Sequence, residues 1–292
     1  MKEISRVFRP KGLGGALRLF TRNPGALLYA GGTEITRNIQ RGNGRAFALP
    51  QKVIYLGNVQ ELNRIYRSQR YLDIGAALDL SRILTLGRNV LPPVLFEAIS
   101  EVATPAIRNL ATLGGNVSLR TRRGDCLPAL SVIQAQLELR TAGSSRWISV
   151  EQFYDRNNMP DLRPGEMLTR VRVPLEEWDF TLYRKVAAGL HYETPLGFAG
   201  VARFPKGRIE SLHFCFGGLK TPVFRDAALE ARLKNAPLPV PSRLIDSLLR
   251  ELEETVSRQV EDGAPGSYKR ATCARLLHWF LEKINARTLE IL

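Results

Sequence analysis

The spacing of apolar and polar positions changes along the chain, predicting short strands and turns first and long helices last. Residues 10–20, where Pro10 precedes Leu13, Ala16, Leu17, Leu19 and Phe20, predict a short helix opened by proline. Leu27-Leu28-Tyr29 predicts a brief strand and Val53-Ile54-Tyr55-Leu56 a buried one, with an Asn-, Gly- and Arg-rich loop over 38–45 between them. Glu61 to Tyr66 reads as a turn-like segment, and Tyr71 to Ala76 as a strand closed by glycine. Leu95, Ile99 and Val102 recur at helical spacing up to Thr104-Pro105, and Leu127 to Ala135 predicts another helix. Leu137 to Arg140 and Met167 to Pro174 alternate as strands do, the second ended by proline.

A break near residues 174–181 divides the chain, and the predicted domains are 1–176 and 177–292. Beyond the break, residues 182–186, 198–202 and 212–216 predict three strands. Two helices close the chain, Ser242 to Val260 and Ser267 to Asn285. Leu244, Leu248, Leu252 and Val256 stripe the first; Leu276, Leu277, Phe280 and Ile284 stripe the second, as core contacts.

Two glycine turns carry the candidate chemistry: Ala30-Gly31-Gly32-Thr33-Glu34 and, about eighty residues on, Thr112-Leu113-Gly114-Gly115-Asn116. Each follows an apolar stretch and runs at once into a small polar residue. Glycine has no Cβ to hold a ligand off and tolerates positive φ, so successive N–H groups can converge on one anion. Two such turns predict two clamps on one elongated ligand with a pyrophosphate, a dinucleotide. The plain structural alternative for each is an ordinary tight turn.

Composition narrows the class. At 292 residues, 44% hydrophobic and 24% charged, the chain is long enough for one large domain or two medium ones, and its composition is that of a globular protein. No apolar run is long enough for a membrane span, and Met1 to Arg6 lacks an apolar signal region, which predicts a cytoplasmic protein. Cys126, Cys215, Cys273 and the histidines His191, His213 and His278 are scattered, which argues against a metal or iron–sulfur cluster held by this chain alone. Cys126 reads as a small buried hydrophobe. The net charge of +14 suits nucleic acid, an acidic partner or a solubilising surface. The arginines are dispersed (Arg37, Arg41, Arg45; Arg64, Arg67, Arg70; Arg120, Arg122, Arg123) with no nucleic-acid motif, so nucleic acid is disfavoured.

The order of these features resembles the FAD-binding medium subunit of the molybdenum hydroxylases, the group of xanthine dehydrogenase and aerobic carbon monoxide dehydrogenase. The likeness runs through Ala30 to Ile35, Leu72 to Ala76, Ile107-Arg108-Asn109-Leu110-Ala111-Thr112-Leu113-Gly114-Gly115-Asn116 and Gly124-Asp125-Cys126-Leu127-Pro128-Ala129-Leu130. It continues through Pro164 to Leu168, Tyr183-Arg184-Lys185-Val186, and Gly217 to Pro222 with Arg225 and Glu230. The resemblance implies an α+β fold. A two-piece FAD-binding domain of the vanillyl-alcohol-type molybdopterin dehydrogenase fold (pieces about 1–56 and 57–176) would precede a C-terminal three-stranded antiparallel sheet with helices. It also implies partners: an iron–sulfur small subunit and a molybdopterin large subunit, with FAD here passing electrons to an acceptor such as NAD.

Residue by residue, the resemblance assigns Leu28, Tyr29, Ala30, Gly31, Gly32, Thr33, Glu34 and Ile35 to one side of the FAD site. Ala111, Thr112, Gly114, Gly115 and Asn116 form the other. It gives Asp125 to sugar hydroxyls, the alternative being an N-cap of the Leu127 helix. Leu168 would pack on the flavin or adenine, or be a plain core leucine. Lys185, or Arg184, would lie near the isoalloxazine, or be a solvated surface cation. No side chain qualifies as a catalytic acid, base or nucleophile. The chain departs from the family pattern at Arg120-Thr121-Arg122-Arg123 and at Ala188-Gly189-Leu190, and the second departure weakens the case for NAD. Two other functional classes compete: a stand-alone FAD oxidoreductase, and a degenerate scaffold or nucleic-acid-binding protein without flavin.

Overall fold

A computed structural model describes residues 6–36, 51–119, 124–186, 195–260 and 263–289. The loop over 38–45, Arg37, the Arg120 to Arg123 stretch, Ala188 to Leu190 and His191 lie outside the described residues. In chain order the elements are β1 (Arg6–Phe8), α1 (Leu13–Arg22), β2 (Leu27–Tyr29), a helical turn α2 over 33–36, β3 (Lys52–Tyr55), β4 (Ile65–Arg67) and β5 (Tyr71–Gly75). Next come α3 (Leu80–Leu84), α4 (Pro93–Ser100), α5 (Pro105–Arg108), α6 (Leu113–Val117), α7 (Leu127–Val132), β6 (Gln136–Arg140), β7 (Ser145–Ser149) and β8 (Met167–Pro174). The chain closes with β9 (Phe180–Val186), β10 (Leu196–Arg203), β11 (Ser211–Gly217), α8 (Ala227–Leu233), α9 (Ser242–Ser257) and α10 (Ala264–Leu289).

Two compact units emerge. The first comprises Met1–Gly87, Val102–Arg120 and Gln134–Leu175; the second comprises Arg88–Glu101, Thr121–Ile133 and Glu176–Leu292. These units interleave along the chain rather than following one another. Segments 88–101 and 121–133 join the C-terminal unit because their helices, α4 and α7, pack against its sheet. Every apolar side chain of α7 is buried, and so are Val94, Leu95, Ala98 and Ile99 of α4.

The first unit holds two sheets. In the smaller, β1 and β2 both run parallel to the central β3. Leu13, Ala16 and Leu17 of α1 pack there with Ile54, Leu56, Leu62 and Met167. The Leu13 N–H at the start of α1 donates to the Glu61 carboxylate at 3.1 Å, so a distant glutamate caps a helix whose own Gly12 offers no side chain. The larger sheet has the order β4-β5-β8-β6-β7 with every pair antiparallel. Leu72, Ile74, Leu137, Leu139, Val171 and Val173 face its core; the alternate positions carry Asp73, Glu138, Arg170 and Arg172. Arg172 binds Asp73 through two bonds of 2.7 and 2.8 Å, and Arg170 binds Glu138 through two of 2.7 Å.

The second unit is built on the antiparallel sheet β11-β10-β9. Its central strand β10 is buried from Leu196 to Ala202. Phe198, Phe214, Phe216 and Phe280 join the stripe residues Leu248, Leu252, Val256, Leu277 and Ile284 in one core. A Cβ at Gly200 would come within 2.8 Å of the Phe280 ring, so glycine lets α10 lie close on the sheet. Among the described residues no helix is long and apolar enough to cross a membrane.

Candidate functional site

The two glycine turns meet in the first unit. Strand β2 ends at Tyr29, the chain turns through Gly31 and Gly32, and α2 begins at Thr33 with the Thr36 N–H donating to the Gly32 carbonyl at 3.0 Å. Gly32 has φ +69°, and a side chain there would strike the Tyr29 ring. Gly31 packs backbone to backbone on the second motif: a Cβ would overlap the Leu110 carbonyl and lie 3.1 Å from the Ala111 Cα.

The second turn is braced from below. Leu80 N–H donates to Ala111 O at 2.9 Å, Leu113 N–H to Leu78 O at 3.2 Å and Gly114 N–H to Ala76 O at 2.9 Å. A Cβ at Gly114 would come within 2.6 Å of that of Ala76. Thr112, itself buried, caps α6 by accepting the Gly115 N–H at 3.1 Å, and Asn116 is buried one turn on. Gly115 is exposed, and a Cβ there would meet only the Thr112 hydroxyl.

The glycines therefore divide their work. Gly31 and Gly114 bring protein backbones together, Gly32 supplies the left-handed conformation, and Gly115 leaves an open surface. Among the described residues no group accepts from the N–H of Gly31, Gly32 or Thr33, all half-buried. Half-buried, unspent donors beside an open glycine are what a pyrophosphate requires, so this cradle fits the phosphates of a dinucleotide. Leu28 and Ala30 pack on the core beneath the first turn, while Glu34 and Ile35 are half-buried in α2. Leu168 is buried in β8, in register with Leu139.

Asp125 and Lys185 lie together in the second unit. Lys185 Nζ donates to Asp125 Oδ2 at 2.9 Å and to the Glu101 carbonyl at 3.2 Å. Two residues earlier on the same face of β9, the Tyr183 hydroxyl donates to the Asp125 carbonyl at 3.1 Å. Burial pushes the Asp125 carboxyl above its ordinary range, and the Lys185 ammonium opposes that push. Burial also raises the Tyr183 phenol well above its usual value. Two of the alternative readings are ruled out here. Asp125 does not cap α7, whose N-cap is Cys126 without a side-chain bond. Lys185 is not a solvated surface cation, because its ammonium is spent on Asp125 and Glu101. Cys126 is fully buried, and its thiol is pushed far up, first by that burial and then by Asp125.

Leu110 and Tyr183 were not singled out as site residues in the sequence. The signal for Tyr183 was its two-residue spacing from Lys185 on one strand; Leu110 acts through its carbonyl, which no side-chain pattern announces.

A parallel three-stranded piece, an antiparallel five-stranded sheet and paired glycine turns with unspent donors define a dinucleotide-binding protein. The chain belongs to the family described as the FAD binding domain in molybdopterin dehydrogenase, whose sequence model matches residues 2–176. It is an FAD-binding flavoprotein subunit of the molybdenum hydroxylase type, an oxidoreductase component. It is 33% identical over 227 residues to aldehyde oxidase 2 of Cavia porcellus, covering 73% of this chain but only 17% of that protein. It is 25% identical over 290 residues to the xanthine dehydrogenase FAD-binding subunit of Escherichia coli, covering 95% of this chain and 92% of the relative. Its fold matches a chain of the reconstituted CO dehydrogenase from Oligotropha carboxidovorans with a TM-score of 0.82 at 20% identity, over 98% of this chain and 99% of that one.

Proposed function

We propose that this chain relays electrons from the [2Fe–2S] clusters of a small partner subunit, through FAD, to an acceptor such as NAD, while a molybdopterin large subunit oxidises the substrate. The observation that carries the reading is the backbone cradle in which the Gly31 turn rests on Leu110 and Ala111. FAD supplies the exchange between one-electron carriers and a two-electron acceptor. Gly31, Gly32 and Thr33 direct their N–H groups at the pyrophosphate, with the Thr33 hydroxyl as a further donor. Thr112, Gly114, Gly115 and Asn116 form the opposing wall, and Leu28, Tyr29, Ala30, Glu34, Ile35, Ala111 and Leu168 complete the lining. Asp125, fixed by Lys185 and Tyr183, accepts from sugar hydroxyls. The scattered cysteines and histidines agree with metal chemistry held by partners.

The test begins with the purified chain, expected to absorb near about 450 nm with one FAD per chain. Co-expression with candidate iron–sulfur and molybdopterin subunits should then give a complex in which substrate reduces that flavin and NAD reoxidises it. A colourless chain that ignores added FAD overturns the reading. Turnover by the flavin-loaded chain alone points to the stand-alone oxidoreductase instead.

A further inference from the structure

A trough of about 430 Å³ runs along the second unit, lined by Arg88, Glu97, Glu101, residues 180–184, Trp279 and Lys283. Strand β9 is an edge of its sheet. Consecutive residues of β9 line the trough rather than alternate ones, so the floor is the free edge of the strand and not one of its faces. One wall is α4, on the side where Lys185 reaches the Glu101 carbonyl. The other is α10, where Phe180 stacks on Phe280 at 5.7 Å and the Arg184 guanidinium lies 5.1 Å over Trp279. Every second residue of an antiparallel edge strand turns both its N–H and its C=O away from its neighbour. Among the described residues, no group outside β10 bonds to the backbone of residues 180–184.

We propose that this trough takes an extended, acidic segment of a partner chain, added to β9 as a further strand. The backbone edge selects a peptide, since only a peptide returns a matching row of donors and acceptors. A nucleotide could use the rings and cations but would leave that row unmet. Charge selects the side chains. The α10 side carries Lys283 of α10 and Arg184 of β9, which lies over Trp279, with Arg287 over the Phe180 ring at 5.9 Å, and α10 contributes no carboxylate to the lining. On the α4 wall, Arg88 is already paired with Glu97 at 3.4 Å and Glu101 adds a further carboxylate, so among the described residues the cationic side of the trough is the α10 side alone. Strand alternation directs every second side chain of the added segment at the α10 wall, and those are the acidic ones. A second copy of this chain is a poor occupant, because each copy carries +14. The proposal does not depend on where FAD lies.

The experiment uses the full chain and a labelled, end-capped octapeptide alternating Glu and Thr, followed by fluorescence anisotropy. Binding is expected with Kd of about 10–100 μM, and a Lys–Thr octapeptide should be weaker by at least about tenfold. N-methylation of alternate amides in one register should weaken binding by at least about tenfold, and in the other register should leave it unchanged. The double variant Arg184→Glu/Lys283→Glu should lose about tenfold in affinity while keeping its thermal unfolding midpoint. If that variant does not fold, the N-methyl series on the unaltered protein decides. No peptide binding, equal binding of the Glu and Lys peptides, or indifference to N-methylation in both registers overturns the proposal. So does ATP binding that the two substitutions abolish in a protein that ignores the peptide, which makes the trough a nucleotide site.

Discussion

The carbonyl oxygen of Leu110 fills the space into which a side chain at Gly31 would grow. The two glycine motifs are thus held together by backbone contact before any ligand arrives. Gly31→Ala should force Leu110 and Ala111 away and open the cradle, costing about 1–3 kcal/mol of stability as an overpacked contact. The purified variant is expected to lose most of its flavin, read as the ratio of absorbance near about 450 nm to that of the protein. Full flavin content with an unchanged melting temperature would mean that the contact yields freely and the cradle is not preorganised.

Gly115 makes the opposite prediction. A methyl group there would come within 2.8 Å of the Thr112 hydroxyl and make that capping group shift, a cost that the helix preference of alanine, up to about 1 kcal/mol, offsets. Gly115→Ala should therefore melt close to the parent protein yet bind FAD at least about tenfold more weakly, because the methyl group occupies ligand space. Titration of the flavin-free protein with FAD, monitored by flavin fluorescence, checks this. Equal affinity would remove Gly115 from the lining.

The difference between these glycines marks how far the sequence can be read. The strings around Gly31 and Gly114 marked the two turns that meet in the fold, but nothing in them separates a glycine used for packing from one that leaves an open surface; that depends on Leu110 and Ala76, which meet them only in the fold. The central strands β5, β6, β8 and β10 were legible because each buries at least alternate apolar residues. The edge strands β4 and β7 were not anticipated. Each pairs on one side only, and Tyr66, Arg67 and Ser145 lie open to solvent. Pairing of Asp125 with Lys185, sixty positions apart, leaves no periodic trace in the chain. The helices α4 and α7 were legible as helices, but their grouping with the later strands β9, β10 and β11 was not, for the same reason.

Lys185→Met should make stability pH-dependent. Burial already raises the Asp125 carboxyl, and removal of the opposing ammonium raises it further. A raised folded-state value means that the native protein binds the proton more tightly than the unfolded chain. Below the ordinary aspartate value of about 3.9 both states are protonated and no penalty exists; the penalty enters as pH rises through the folded value. The variant is thus expected to be most destabilised near neutrality and to converge on the parent as pH falls. Asp125→Asn in the Lys185→Met background should abolish the difference between pH 4 and 7, in about the manner expected for loss of the titrating group. Urea unfolding across that range measures it, and parallel curves for parent and variant would show that the pair is not coupled.

Glu230 predicts the reverse dependence. It is buried, and burial pushes its carboxyl up, but hydrogen bonds from His213 and Arg225 more than offset that and hold it below the ordinary range. Arg225 binds it at 2.8 Å through both Nε and Nη2, and the Phe214 N–H adds a third bond at 3.0 Å. A lowered folded-state value contributes stability that is present above the ordinary glutamate value, about 4.3, and is lost as pH falls through the folded value. Glu230→Gln should therefore flatten the acid limb of unfolding. Arg225→Met should cost more, about 3–5 kcal/mol, because it strands a buried carboxylate. Trp178 stands edge-on to His213 with ring centroids 5.6 Å apart, so its fluorescence reports on this cluster. A loss at Arg225→Met no larger than at Glu230→Gln would show that His213 and the Phe214 amide suffice to hold the charge.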